Sequence, residues 1–140
     1  MEIDFSIYTE TKVSFFNTEP CNIAVIFCNP EDQTDYIIAD KNLSGYGSRI
    51  VLDKCDAFLD VNHYPGLPKQ LEESGLAKPV LDPNGNPITL KPGHVTYPLF
   101  KFNAEKLKEL DPKGFAEYDA QYLDSLQKAI EDLNVDDLDI

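Results

Sequence analysis

The sequence predicts an α+β protein, in which an antiparallel sheet of about four to six strands is packed by a long C-terminal amphipathic helix and accompanied by one short helix. Three observations lead to this prediction. Short apolar runs rich in β-branched residues occupy the first part of the chain, and turn-forming residues separate them. Near the C-terminus, apolar residues recur every three or four positions. The length of 140 residues suits a single domain over 1–140.

The N-terminal strands show two patterns. In EIDFSIYTETKVSFF, Ile3, Phe5 and Ile7 alternate with polar residues, which indicates a strand with one buried face. The run CNIAVIFC is almost continuously apolar and predicts a central strand. After the turn NPEDQTD, the segment YIIAD predicts another strand, and IVLDK and DAFLD follow the glycine-containing loop LSGYGSR. Short strands joined by short turns predict an antiparallel meander.

The middle of the chain combines a helix, a hairpin and a strand. YPGLPKQLEESGLAKP predicts a short helix, with Pro68 in its first turn and Gly75 as its C-terminal stop. LDPNGNPITLKPGH predicts a polar hairpin that turns at Asn84-Gly85. In the following strand, HVTYPLFKF, Pro98 has no N–H to donate, which places it at a sheet edge or bulge.

From Asn103 onward the pattern becomes helical. Asn103 is predicted to cap the segment AEKLKEL, and Pro112 is predicted to begin the long helix. Residues 135–140 are expected to form a frayed acidic tail. The apolar stripe predicted to face the sheet consists of Phe115, Tyr118, Tyr122, Leu126, Ile130 and Leu133.

The charge and the cysteines limit the possible partners and location. Asp and Glu number 25 and Lys and Arg 12, for a formal net charge of −13. Such a surface disfavours nucleic acid and anionic membranes and favours a basic protein surface. Cys21, Cys28 and Cys55 form an odd set without metal-ligand spacing, which predicts free thiols in a reducing, cytoplasmic environment. The sequence does not indicate an oligomeric state.

The sequence offers few candidates for catalysis. It contains no glycine-rich nucleotide motif and no HExxH motif. Its histidines and cysteines do not show zinc-ligand spacing. We therefore predict a non-enzymatic protein with no metal and no cofactor. The enzymatic alternative would place a site near Asp60, His63 and His94.

The acidic residues are concentrated at the C-terminus. From Gly114 to Ile140 there are eight acids and one base, Lys128. Spaced carboxylates along a helix can imitate a row of phosphates before a groove lined by lysine and arginine. The alternative is a solvated helix face whose charge serves only solubility. The predicted partner-binding surface consists of Glu117, Asp119, Asp124, Glu131, Asp132, Asp136 and Asp137.

Three motifs stand in the middle third of the chain: AFLDVN before the short helix, GLAKP at its end, and GHVTYPL in the following strand. With these motifs the chain resembles a family of small uncharacterised bacterial proteins usually found on conjugative elements, plasmids and phages. The matching residues are Ala57, Phe58, Asp60, Asn62, Gly75, Leu76, Pro79, Gly93, Val95, Tyr97, Pro98, Leu99 and Phe102.

The resemblance implies a biological setting rather than an activity. Small acidic proteins of mobile elements often counter host defence, and several such inhibitors mimic nucleic acid. The resemblance thus suggests an inhibitor of a nucleic-acid-binding defence protein, of the anti-CRISPR or anti-restriction type, or alternatively a structural or accessory protein of the element. The hairpin LDPNGNPITLK is enlarged relative to the family, and the acidic helix lies outside its pattern.

Overall fold

The computed structural model describes residues 10–16, 21–31, 36–41 and 53–138, with side chains except at 129 and 132–138. The predicted first strand around Ile3, Phe5 and Ile7 and the glycine-containing loop at 43–49 lie outside these residues. Of the predicted strand IVLDK, the described part, Asp53 and Lys54, precedes a strand instead of belonging to one. The elements are β1 (Glu10–Phe16), β2 (Asn22–Cys28), β3 (Tyr36–Ile38), β4 (Asp40–Lys41), β5 (Asp56–Leu59), α1 (Leu67–Ser74), β6 (Ala77–Pro79), β7 (Thr89–Leu90), β8 (Tyr97–Phe102), α2 (Ala104–Leu110) and α3 (Pro112–Leu138).

The predicted α+β class and the long C-terminal helix are confirmed, but the strands form two sheets instead of one. The first sheet is an antiparallel meander in the order β1-β2-β3. Val13 pairs with Val25 at the centre of this sheet. β2 is buried along almost its whole length because it lies between β1 and β3 and packs against the core. The central strand predicted from CNIAVIFC is therefore present.

The second sheet is not a meander. Its order is β4-β5-β8-β6, with β7 also paired to β8. The strand β8 is central, because β5 pairs with one side of it and β6 and β7 pair with the other. These pairings bring together segments that are far apart in sequence. Pro98 lies one residue beyond the last pair between β5 and β8, Phe58 with Leu99, so its missing N–H interrupts no bond to β5.

Local signals placed the helix ends correctly. Gly75 ends α1 in the left-handed conformation at φ 74°, which glycine adopts without steric cost. Asn103 caps α2, and its side chain accepts a hydrogen bond from the Lys106 N–H at 3.2 Å. The hairpin after β6 turns at Gly85, with φ 85°, as its sequence predicts.

The main core lies among the two sheets and the helices. Its buried members include Ile23 and Val25 from the first sheet, Leu59 and Phe102 from the second, and Leu107 from α2. A smaller apolar cluster of Phe58, Tyr97 and Leu99 is also built on the second sheet. The shared main core determines how α3 meets the sheets, and therefore which face of this helix remains exposed.

Candidate functional site

The carboxylate of Asp111 accepts two hydrogen bonds and joins the beginning of α3 to β1. Asp111 Oδ1 accepts from the Gly114 N–H at 3.1 Å and so caps the helix, while Oδ2 accepts from the Val13 N–H at 2.9 Å. Further along, Ser125 Oγ accepts from the Cys21 N–H at 2.8 Å in a buried position. These contacts fix the rotation of α3 about its axis.

The inner face of α3 is apolar, as its spacing predicts. Phe115, Tyr118 and Tyr122 are buried, and Leu126 packs half-buried against the same core. The prediction that Ile130 continues this buried stripe is wrong, because its side chain is 49% exposed. The burial of this face therefore decreases from Tyr122 through the half-buried Leu126 to the exposed Ile130.

Three of the predicted acids form a row along the exposed face of α3. Glu117, Asp124 and Glu131 are all exposed and are spaced seven residues apart. Seven residues make nearly two full turns, so the three positions share one face at intervals of roughly 10.5 Å. This face is turned away from Tyr118 and Tyr122. We call these three residues the acidic row.

Two of the predicted acids are ion-paired within the chain. Asp119 contacts the Lys54 ammonium group, and both side chains are about one-third exposed. Asp119 is thereby held towards the turn before β5 and is not a member of the acidic row. Asp124 pairs with Lys128 at 3.3 Å, but both side chains are more than half exposed, so this pair contributes roughly 0.3–0.5 kcal/mol and leaves Asp124 accessible.

Asp132, Asp136 and Asp137 lie within the helical span of α3, which continues to Leu138. Their side chains, like that of Leu133, lie outside the described residues. Their place in the partner-binding surface, and the frayed tail at 135–140, stay predictions.

The residues of the enzymatic alternative are only partly brought together. The Asp60 carboxylate lies 2.9 Å from His63 Nδ1 and also accepts from the His63 N–H at 3.4 Å. Asp60 thus stabilises the turn between β5 and α1, and the His63 side chain is 61% exposed. His94 is exposed in the hairpin before β8. Asp60, His63 and His94 do not line either of two cavities on the described surface, one of about 510 Å³ and one of about 600 Å³.

Asp40, at the start of β4, is a buried acid that the sequence did not single out. Its Oδ1 accepts from the Val25 N–H at 3.1 Å, whereas its Oδ2 has no hydrogen-bond partner among the described residues. Burial raises the pKa of this carboxyl well above its ordinary value, and the nearby Asp60 adds to the shift, although hydrogen bonds to the backbone oppose it.

Asp40→Asn is expected to stabilise the protein at neutral pH by about 1 kcal/mol or more. The pKa of Asp40 is raised in the folded state, so above pH ~4 the unfolded chain loses a proton that the folded protein keeps. The unfolding free energy of the wild type therefore decreases as pH increases above ~4. The difference in unfolding free energy between variant and wild type should therefore grow from pH 4 to pH 8, as measured by urea unfolding. A variant that is less stable than the wild type at every pH would show that the carboxylate stabilises the fold.

Two cavities open on the described surface. One, of about 510 Å³, lies beside α1 and α2 and is lined by Leu67, Leu71 and Lys106, among others. The other, of about 600 Å³, is lined by Lys54, Lys78, Lys101 and Lys108, which we call the lysine cluster. Sequence reasoning missed the lysine cluster because its members come from four separate segments of the chain and form no local pattern.

The described residues include all three cysteines, which are free and buried, so the prediction of free thiols is confirmed. In the same part of the chain, no group of three or more His, Cys, Asp and Glu side chains is placed to hold a metal ion. None of the helices described is long and apolar enough to cross a membrane.

Comparison with known proteins does not assign a function to this chain. Searches against protein-family models, curated proteins and solved structures find no match. The function must therefore be argued from the acidic row and its surroundings.

Proposed function

We propose that this protein is a non-enzymatic binding protein that docks onto a basic protein surface through the exposed face of α3. The observation that carries the proposal is the acidic row: Glu117, Asp124 and Glu131 are exposed on one face of α3. The opposite face of this helix is buried in the core from Phe115 to Tyr122. The carboxylates are therefore presented on a supported helix. Exposed charges of one sign steer association with a surface of the opposite sign.

The partner class that fits this surface is a nucleic-acid-binding protein. Such proteins carry lysine- and arginine-rich grooves that bind phosphates. The acidic row places charges at roughly 10.5 Å intervals, whereas a DNA strand carries one phosphate per ~3.4 Å. The row thus imitates the sign and direction of a phosphate backbone at lower density. Together with the resemblance to proteins of mobile elements, this supports an inhibitor of a nucleic-acid-binding defence effector.

The test removes the acidic row without changing the shape of the helix. We expect the triple variant Glu117→Gln, Asp124→Asn, Glu131→Gln to lose a partner that the wild type captures from a bacterial lysate. With the purified partner, its association rate should fall about tenfold at low salt, because electrostatic steering is lost. The salt dependence of the rate should flatten, while the unfolding free energy should change by ~1 kcal/mol or less.

A matched control separates a specific surface from overall charge. Glu31, Glu73 and Glu109 are exposed acids outside α3. Replacing these three by Gln removes the same total charge and should leave the association rate within about twofold of the wild type. If both triple variants bind equally slowly, the acidic row has no special role. If neither differs from the wild type, the acidity serves solubility alone, as in the accessory-protein alternative.

A further inference from the structure

The lysine cluster gathers four positive charges at one place in an acidic molecule. Its cavity, of about 600 Å³, is enclosed by the turn before β5, the end of α1, β6, β8, α2 and the beginning of α3. Four lysines and one acid, Glu72, line it, although the whole chain has 25 acids and 12 bases. This local excess of cations is the opposite of what solubility by negative charge requires.

The lysines are crowded, and two of them are opposed in a way that disfavours strand pairing. Lys78 on β6 lies directly opposite Lys101 on β8 in the register of the second sheet. Like charges at directly opposed positions destabilise a pair of strands. The ammonium groups of Lys54 and Lys108 both approach the ring of Phe115, at 5.7 and 5.5 Å from its centre. The fold thus gathers four lysine residues around one cavity.

Internal acids neutralise only part of this charge. Lys101 Nζ lies 2.7 Å from Asp56 Oδ1 and donates to the Lys54 carbonyl oxygen at 3.3 Å. Lys54 is paired with Asp119. Lys108 is 3.9 Å from Glu105, and because both side chains are exposed this contact is weak.

The remaining lysine of the cluster is Lys78 on β6. Lys78 is exposed and has no ion-pair partner among the residues that the structure describes. Lys78 and the weakly paired Lys108 are therefore the most available positive charges of the cavity, and Glu72 is the one acid among the described residues of its lining.

The wall of this cavity contains a strained residue. Cys55 has φ 71° and is the one non-glycine residue with a positive φ in the described part of the chain. Its N–H donates to the Tyr118 hydroxyl oxygen at 2.9 Å, and its carbonyl oxygen accepts from the Phe102 N–H at 2.9 Å. Strained backbone of this kind persists where surrounding contacts impose it and is concentrated at ligand sites.

We propose that the lysine cluster binds a small anion that carries two or more phosphate groups. The volume lies within the range of small-molecule sites. Lysine ammonium groups act as mobile point charges and are established phosphate ligands, and four lysines suit an anion with more than one phosphate group. This site is separate from the acidic row, and its test needs no protein partner.

The experiment is a calorimetric titration of the full chain with pyrophosphate at ~0.1 M ionic strength, where remote acids are screened and the adjacent lysines are not. We expect saturable binding with a dissociation constant on the order of 0.1–1 mM. Lys78→Gln and Lys108→Gln should each weaken binding roughly five- to tenfold. Asp119→Asn should tighten it several-fold, because Lys54 is then released from its internal partner.

The control variant is Lys69→Gln on α1, which removes one exposed lysine outside the cavity and should change the affinity by less than about twofold. ADP is titrated in parallel. Tighter binding of ADP than of pyrophosphate would indicate an organic phosphate as the ligand, and tighter binding of pyrophosphate would indicate an inorganic one. Both results support the site. The proposal is overturned if ~10 mM pyrophosphate gives no saturable binding. It is also overturned if Lys69→Gln weakens binding as much as Lys78→Gln, or if succinate binds as tightly as pyrophosphate.

Discussion

Tyr118→Ala is expected to lower the unfolding free energy by about 3–5 kcal/mol, the range for removal of a large aromatic side chain from a core. Tyr118 is 1% exposed, and its ring lies 5.9 Å from that of Phe115 and 6.0 Å from that of Tyr122. It also provides the oxygen that accepts the Cys55 N–H. Urea unfolding followed by circular dichroism measures the loss.

Tyr118→Phe separates packing from hydrogen bonding at the same position. The ring stays, but the buried Cys55 N–H loses its acceptor, and we expect a smaller loss of about 1–3 kcal/mol. If Tyr118→Ala costs less than about half a kcal/mol, the inner face of α3 is exposed to solvent and the orientation of the acidic row is wrong as well.

Gly114→Ala is expected to destabilise the protein by about 2 kcal/mol or more. Alanine in a helix is ordinarily favoured over glycine by ~1 kcal/mol, so the propensity predicts the opposite sign. A Cβ atom at Gly114 would, however, meet the Val13 carbonyl oxygen and the Asp111 carboxylate at separations far inside van der Waals contact. The backbone of β1 has little room to shift, and overpacking of this kind typically costs 1–3 kcal/mol, sometimes more.

The control for this prediction is Gly93→Ala in the hairpin before β8, where a Cβ atom meets nothing within 4 Å. Its unfolding free energy should stay within about half a kcal/mol of the wild type. The difference between the unfolding free energies of the two variants, measured with urea, reports on the contact between α3 and β1. If Gly114→Ala is more stable than the wild type, helix propensity outweighs the contact, and α3 is not held against β1 as described.

The resemblance and the function it implies stay predictions, and the experiments above address the surfaces instead. Both proposed sites can fail independently: the acidic row is tested by association with a protein, and the lysine cluster by titration with pyrophosphate. Asp119 was predicted to belong to the acidic surface, but the structure places it in an ion pair with Lys54 of the lysine cluster.

Features that depend on neighbours along the chain could be predicted from the sequence. The caps at Gly75 and Asn103, the start of α3 at Pro112 and the buried inner face of that helix follow from backbone preferences and from residues three or four apart. The acidic row follows from the same periodicity, because positions seven apart lie on one face whatever the helix packs against.

Features that depend on residues distant in sequence could not be predicted and became visible in the folded chain. The pairing of β5, β6 and β7 with β8 made two sheets from strands predicted as one. The same pairing placed Lys78 beside Lys101, and the docking of α3 drew Asp119 to Lys54. The burial of Asp40 and the exposure of Ile130 depend on where elements meet and where they end. Periodicity carries no information on such contacts, because it records which face of an element is apolar and not which element covers it.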